Sequence, residues 1–242
     1  MENNSVTPEM VKSDRPSFEN LQEGIKLYKK KNWKDALNSF LSKRSGNMEN
    51  EEQIELTYYL GLCYTKLGNY EEALECLEQV VMMDDDILRM YQCRMMLAYI
   101  YVVTKRIKMA EFELNRLKDK GLESPLLYNT LAYAAWSQKK YKSAIELYEK
   151  TLEIDVNNAT AMNSMGYILV DTGIDILRGL RLCRRAVDIR PNNPAYIDSL
   201  GWAYYKSGEI MEARTWLRRA LELAPEEDAI KKHYLTVSGV VV

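Results

Sequence analysis

His233 is the only histidine in the chain, so an imidazole-based catalytic site could be built around this one position only. Serine and cysteine nucleophiles need such an imidazole beside them as a general base. His233, however, falls in a predicted terminal helix. Ser137 and Lys140 match the Ser-x-x-Lys spacing, but they lie where a polar turn is predicted. We therefore expect no catalytic residues, and an enzyme is the least favoured of three functional hypotheses.

The four cysteines, Cys63, Cys76, Cys93 and Cys183, do not have the spacing of a metal site. No pair forms Cys-x-x-Cys and no histidine lies near them in sequence, whereas structural zinc sites use clustered ligands. We interpret them as small buried side chains on helices in a reducing compartment. A glycine-rich phosphate loop is also missing. The sequence therefore predicts neither a metal nor a cofactor.

Composition indicates a folded, helix-rich chain without a strong charge bias. Hydrophobic residues make up 47% of the 242 residues, and 33 basic residues face 35 acidic ones, for a formal net charge of -2. Nucleic acid is disfavoured as a partner because phosphate neutralisation needs a basic excess or stripe. No run approaches the roughly 18 apolar residues of a membrane-spanning helix, and residues 1–17 contain no signal-peptide-like apolar run. We expect a cytoplasmic protein without membrane insertion.

A small residue recurs along the chain at intervals of 34 to 37 residues, which we call the anchor: Gly24, Gly61, Ala98, Ala132, Gly166 and Gly201. A second small residue follows twelve positions later, and thirteen in the fifth repeat: Ala36, Ala73, Ala110, Ala144, Gly179 and Ala213. Four positions further on stands a bulkier residue: Phe40, Leu77, Leu114, Tyr148, Cys183 and Leu217. Such a period is typical of stacked helix pairs, none of which can bury its apolar face alone.

The anchor and the second small residue are expected to meet where two antiparallel helices cross closely. Gly68 and Gly208 suit a left-handed turn between the two helices. Pro191 and Pro225 fall where a second helix should end, because proline cannot continue it.

This pattern resembles the tetratricopeptide repeat (TPR) family. The family consensus appears in the second repeat as Leu60, Gly61, Tyr64, Gly68, Tyr70 and Ala73, and in the sixth as Leu200, Gly201, Tyr204, Gly208, Ala213, Ala220 and Pro225. The segment from residue 162 to 225 looks especially like bacterial members. The resemblance implies an all-α fold, a right-handed α-solenoid superhelix of helix-turn-helix pairs with a C-terminal capping helix.

We expect residues 1–15 to be a disordered lead-in, with a first helix starting at Ser17. The array then spans 16–227, with repeats at about 17–50, 54–87, 91–124, 125–158, 159–193 and 194–227. A capping helix and tail follow at 228–242, with Ile230, Tyr234 and Leu235 covering the last pair. Anchor spacings of 37 place three extra residues at two joints, near 51–53 and 88–90, where they lengthen helices or loops.

The resemblance also implies a concave groove lined by the first helix of each pair. Reading the family's groove positions onto this chain predicts a partner-binding set: Tyr59, Met96, Tyr99, Asn129, Tyr133, Trp136, Asn163, Tyr167, Asp198, Trp202 and Tyr205. Aromatic side chains give rigid contact area at low entropic cost, and amides can pair with a peptide backbone. The alternative is that these aromatics only pack against the neighbouring helix.

The predicted function is a protein-interaction scaffold or adaptor that binds a protein or peptide segment in its groove and assists complex assembly. The alternative is a regulatory subunit that controls a partner enzyme. A clamp for the C-terminal carboxylate of a chaperone is not expected. In the family that clamp uses lysine and arginine at groove positions. With the anchor counted as the eighth residue of a repeat, the second and sixth residues of repeats two to six are neither lysine nor arginine.

Overall fold

The computed structural model describes residues 21–43 and 49–239. In these two ranges the chain forms thirteen α-helices and no strand, which confirms the all-α solenoid fold class. The helices are α1 (Gln22–Lys29), α2 (Trp33–Lys43), α3 (Asn50–Leu67), α4 (Tyr70–Met83), α5 (Ile87–Val103), α6 (Ile107–Asp119), α7 (Pro125–Ser137), α8 (Tyr141–Ile154), α9 (Ala159–Asp171), α10 (Ile176–Ile189), α11 (Pro194–Ser207), α12 (Ile210–Leu223) and α13 (Asp228–Ser238). The predicted lead-in, the helix start at Ser17 and the last three valines lie outside the described residues.

The chain divides into two compact units, Met1–Ile100 and Tyr101–Val242. In the first unit α1 packs against α2, α2 against α3, and α3 against α4. Its core joins the three helices α1, α2 and α3 through Leu21, Ala36, Phe40, Leu56, Leu60 and Cys63, all at most 2% exposed. Burial raises the pKa of the Cys63 thiol to about 12, so this cysteine stays a neutral core residue.

The second unit stacks the pairs α7/α8, α9/α10 and α11/α12, and α13 packs on α12 and α11. One core cluster joins α7 and α8 to α9 through Ala132, Tyr148 and Met165. A second runs from α9 to α13 and includes the capping residues Ile230 and, partly buried, Tyr234. Val237, which sequence reasoning left out, is buried in the same cluster. The last helix therefore covers an apolar end that would otherwise face water.

The glycine anchors sit at close helix crossings, but the neighbour differs from the one expected. A Cβ added to Gly24 would lie 2.5 Å from Phe40, and one added to Gly201 would lie 2.7 Å from Leu217. The anchor therefore faces the bulky residue of the second helix rather than the small one. The expected meeting of two small residues occurs in the fifth repeat, where a Cβ on Gly166 would lie 2.9 Å from the carbonyl oxygen of Gly179.

Each helix pair described turns through a left-handed residue seven positions after its anchor. Glycine takes this conformation at Gly68, Gly173 and Gly208, with φ of 81°, 73° and 90°. Lysine takes it in the other three pairs, at Lys31, Lys105 and Lys139, with φ of 63°, 61° and 60°. One turn geometry therefore serves all six pairs, although only glycine adopts it without steric cost.

The extra residues of the early repeats lengthen their first helices. Helix α3 has 18 residues and α5 has 17, whereas α7 and α9 have 13 each and α11 has 14. Helix α3 accordingly begins at Asn50, four residues before the predicted start of the second repeat. Of the two outcomes expected for the inserted residues, longer helices or longer loops, the structure shows longer helices.

Candidate functional site

Helices α7, α9 and α11 carry most of the predicted groove residues, and each begins at a side-chain cap. Ser124 Oγ accepts a hydrogen bond from the Leu127 amide at 3.2 Å. Asn158 Oδ1 accepts from the Ala161 amide and Asn193 Oδ1 from the Ala195 amide, both at 3.0 Å. These caps satisfy amides that the helix itself leaves unpaired and fix where each helix starts. They thereby set the register of the side chains on the predicted groove face.

The three polar residues that lie three positions before an anchor, Asn129, Asn163 and Asp198, have different surroundings. Asn129 Nδ2 donates to Asn158 Oδ1 at 3.2 Å, which ties α7 to the cap of α9. Within the described ranges the Oδ1 atoms of Asn129 and Asn163 are buried and accept no hydrogen bond. Asp198 is buried and accepts from His233 instead. Two amide oxygens at adjacent repeats therefore lack a donor, which is uncommon for buried polar atoms.

The aromatic residues of the groove positions form two groups in the second unit. Tyr133 and Trp136 pack against each other on α7, with ring centroids 5.5 Å apart, and they are 41% and 36% exposed. Trp202 and Tyr205 pair on α11 at 5.1 Å, and Trp202 Nε1 donates to Asp171 at 3.1 Å. Tyr167 and Trp202 are half-buried. The more open aromatic surface is therefore on α7.

His233 of α13 joins the α11 group, and sequence reasoning missed it. Its Nδ1 lies 2.8 Å from Asp198 Oδ2, and its ring stacks on Trp202 with centroids 4.3 Å apart. The Tyr167 ring lies 6.3 Å from the same imidazole. The sequence feature that could have indicated this contact is an aspartate at a groove position, Asp198, 35 residues before the histidine of the predicted capping helix. The capping helix thus contributes a polar residue to this face as well as apolar ones.

The pKa of Tyr167 is raised to about 12, first because burial disfavours its phenolate and then because Asp171 and Asp198 lie nearby. Burial also raises the pKa of Tyr99, with Tyr70 beside it as the next cause. Both hydroxyls are therefore protonated around neutral pH and able to donate hydrogen bonds.

The three predicted groove residues of the first unit have mixed surroundings. Tyr59 is half-buried and packs on Phe40 and Tyr28, with ring centroids 5.4 and 5.7 Å apart. Met96 is half-buried, while Tyr99 is 49% exposed. Of these three residues, only Tyr99 presents a broad aromatic surface to solvent.

Two models of the tetratricopeptide repeat family match the chain, one over residues 55–86 and the other over residues 126–158 and 196–227. These ranges coincide with predicted repeats two, four and six. The chain contains tetratricopeptide repeats. Among curated relatives, TPR repeat-containing protein PA4667 of Pseudomonas aeruginosa is 35% identical over 72 residues, 30% of this chain and 12% of that protein.

Human protein O-mannosyl-transferase TMTC1 is 22% identical over 183 residues. The match covers 74% of this chain and 20% of the human protein. The chain thus spans no more than about a fifth of the length of these curated relatives. Among solved structures, the Cut9–Hcn1 tetramer of the APC/C matches with a TM-score of 0.72 at 14% identity, covering 90% of this chain and 42% of that one. YrrB, described as a TPR protein with an unusual peptide-binding site, matches with a TM-score of 0.57 at 17% identity. The match covers 76% of this chain and 92% of YrrB.

These likenesses concern the fold. Among residues 21–43 and 49–239, no helix is both long and apolar enough to cross a membrane. In the same ranges no group of three histidine, cysteine, aspartate or glutamate side chains is arranged to hold a metal ion.

Proposed function

We propose that this TPR protein is an interaction scaffold that binds a peptide or extended protein segment along α7, α9 and α11. The observation that carries the proposal is the juxtaposition of an exposed aromatic pair, Tyr133 and Trp136, with amide oxygens that lack a donor. A segment lying there buries aromatic surface without a large entropic penalty, because a tyrosine or tryptophan side chain has few rotatable bonds.

The amides supply the polar part of the recognition. Asn163 Oδ1 has no hydrogen-bond donor among the described residues, and a main-chain N–H of a bound segment supplies one once the amide turns toward the surface. Each such bond contributes about 0.5–1.5 kcal/mol net. Asn129 contributes less, because its Nδ2 already holds the Asn158 cap.

The polar His233–Asp198 contact marks one end of this surface. Asp198 is committed to His233 and Trp202 to stacking on its ring. The binding energy therefore comes mainly from α7 and α9, and Asp198, Trp202 and Tyr205 form the rim. On the first unit, Tyr59, Met96 and Tyr99 occupy predicted groove positions of the same kind. A scaffold of this type assists assembly of a larger complex in the cytoplasm; a regulatory subunit of a partner enzyme is the second candidate.

The test starts from an arrayed library of synthetic peptides, because the segment itself must first be selected. A peptide that binds the wild-type protein is then titrated by fluorescence anisotropy against Tyr133→Ala, Trp136→Ala and Asn163→Ala. An aromatic anchor at the centre of an interface should weaken binding by about 2 kcal/mol or more, and Asn163→Ala should weaken it less. Folding of each variant is checked by circular dichroism.

Phe112→Ala is the matched control, because Phe112 is an aromatic of α6 that is 53% exposed and lies on a second helix. It should bind the peptide like wild type. If Phe112→Ala loses as much affinity as Tyr133→Ala, or if the three groove variants bind unchanged, the peptide does not lie on this face.

A further inference from the structure

The outer faces of α10 and α12, the second helices of repeats five and six, are strongly basic. Residues 176–190 and 210–223 together contain eight arginines and three acidic residues, Asp188, Glu212 and Glu222. Helix α4 has four glutamates and no basic residue, although it is also a second helix. The chain as a whole has a formal net charge of -2. The basic character is therefore a local property of two helices rather than of the repeat fold.

Four of the eight arginines have partners in the folded chain. Arg178 pairs with Glu149 at 2.8 Å, and Arg184 donates to the Tyr204 hydroxyl. Arg214 Nε donates to the Val237 carbonyl at 3.2 Å, and Arg219 donates to the Pro191 carbonyl at 2.9 Å. These contacts join α10 and α12 to their neighbours and hold the surface in place.

The other four arginines, Arg181, Arg185, Arg190 and Arg218, are exposed. Within the part of the chain that the structure describes, none of them has an ion pair or a side-chain hydrogen bond. Four guanidinium groups on α10, its C-cap and α12 thus face solvent without a counter-charge. Guanidinium groups bind carboxylates with paired hydrogen bonds, which gives both affinity and orientation.

Apolar groups lie among these charges. Leu177 on α10 is 65% exposed and Met211 on α12 is 71% exposed. Trp216 is half-buried, and the Arg219 guanidinium lies 5.6 Å from its ring centroid. A partner with only negative charges would leave these side chains uncovered. The surface fits a partner that has both carboxylates and apolar side chains.

We propose that the outer face of α10 and α12 binds an acidic amphipathic segment of a partner protein. This surface goes beyond the groove of the proposed function, since it lies on second helices and not on α7, α9 and α11. Its mixture of basic, acidic and apolar side chains favours a short protein segment over a polynucleotide or a lipid surface. Glu149 of α8 lies at its edge, paired with Arg178, and the three carboxylates on α10 and α12 interrupt it, so a long polyanion would meet repulsion there.

The probe is a fluorescein-labelled helical peptide of about 16 residues, with glutamates on one face and leucines on the other. The matched peptide has every glutamate replaced by glutamine. Both are titrated by anisotropy against the full chain, alongside a labelled RNA duplex and vesicles containing phosphatidylserine. We expect the acidic peptide to bind with an affinity that falls as salt is raised, and the glutamine peptide to bind at least about tenfold more weakly.

The deciding variant is Arg185→Glu with Arg218→Glu, two exposed positions whose reversal leaves the core untouched. It should weaken binding of the acidic peptide by about tenfold or more. Arg116→Glu on α6 is the control, because it reverses an exposed arginine outside this face, and it should bind like wild type. The proposal fails if the acidic peptide does not bind, if Arg116→Glu loses as much as the double variant, or if RNA or vesicles bind more tightly than the peptide.

Discussion

The joint between α4 and α5 in the first unit is held by buried charges, whereas the joint between α8 and α9 in the second is held by amides. In the first, Arg89 is 3% exposed and contacts Asp84 at 3.1 Å, Glu55 at 3.3 Å and Asp86 at 3.7 Å. In the second, Asn158 Nδ2 donates to Asp155 Oδ2 at 3.0 Å. Asn158 Oδ1 accepts from the backbone amide of Ala161 and from Asn129 Nδ2. The same repeat fold therefore uses two different chemistries at corresponding positions.

The difference teaches how a repeat array accommodates extra residues. Where the anchor spacing is 34 residues, a short capped turn suffices. Where it is 37, the extra first turn of α5 contains Arg89, which contacts Glu55 of α3 and the carboxylates of Asp84 and Asp86. A buried ion pair adds little net stability over an apolar contact, but removing one partner leaves an uncompensated charge. The first joint should therefore be the more sensitive to a single substitution.

The largest effect is expected for Arg89→Ala, which removes the guanidinium that contacts the buried carboxylates of Glu55 and Asp84. Removal of one member of such a buried pair costs about 3–5 kcal/mol. Chemical denaturation followed by circular dichroism measures the loss, and hydrogen exchange should place it in α3–α5. Arg178→Ala is the control, since its pair with Glu149 is about 40% exposed and should contribute no more than about 1 kcal/mol. Equal effects of the two variants would contradict the contrast between the regions.

A second effect distinguishes the helix crossings of the two units. Gly166→Ala places a Cβ 2.9 Å from the Gly179 carbonyl, which is backbone and cannot move aside, whereas Gly61→Ala places one 2.9 Å from Cγ and Cδ2 of the Leu77 side chain. We expect Gly166→Ala to destabilise by about 1–3 kcal/mol through overpacking. Gly61→Ala should cost less, because the Leu77 side chain can shift where a backbone carbonyl cannot, and alanine's helix propensity, about 1 kcal/mol better, offsets part of the contact. Thermal unfolding of both variants tests this. A larger loss of stability for Gly61→Ala than for Gly166→Ala would mean that the less tolerant helix crossing is in the first unit.

The amide joint should respond more weakly than the ion-pair joint. Asn158→Ala removes the cap of α9 and the acceptor of Asn129, and loss of such a cap costs about 1 kcal/mol. Glu49→Ala is the matched control, because Glu49 occupies the same position before α3 but makes no side-chain cap. Urea midpoints should fall for Asn158→Ala and stay within error for Glu49→Ala. A loss as large as that of Arg89→Ala would show that both joints are equally sensitive.

Sequence reasoning found those features that repeat, because six copies of a pattern reveal the physical requirement they share. Small anchors such as Gly201, left-handed turns such as Gly208 and the apolar side of the cap at Ile230 belong to this class. It missed contacts that occur once. The Arg89 cluster depends on a helix extension that only the longer repeats have, and the Asp198–His233 contact joins residues 35 positions apart. No periodicity marks such pairs, so only the folded chain brings them together.

The smallest effect tests a feature that the two units share. Lys31 in the first unit and Lys139 in the second both have positive φ, which costs a residue with a Cβ about 1–2 kcal/mol. Replacing either with glycine removes that strain, while glycine's greater freedom in the unfolded chain takes back about 0.4–1 kcal/mol. Lys31→Gly and Lys139→Gly should therefore each stabilise by about 0.5–1 kcal/mol, and by similar amounts. Gly208→Ala, which introduces the same strain, should destabilise in urea denaturation. If Lys139→Gly stabilises and Lys31→Gly does not, the turns differ between the units as the joints do, and the shared geometry would not imply shared energetics.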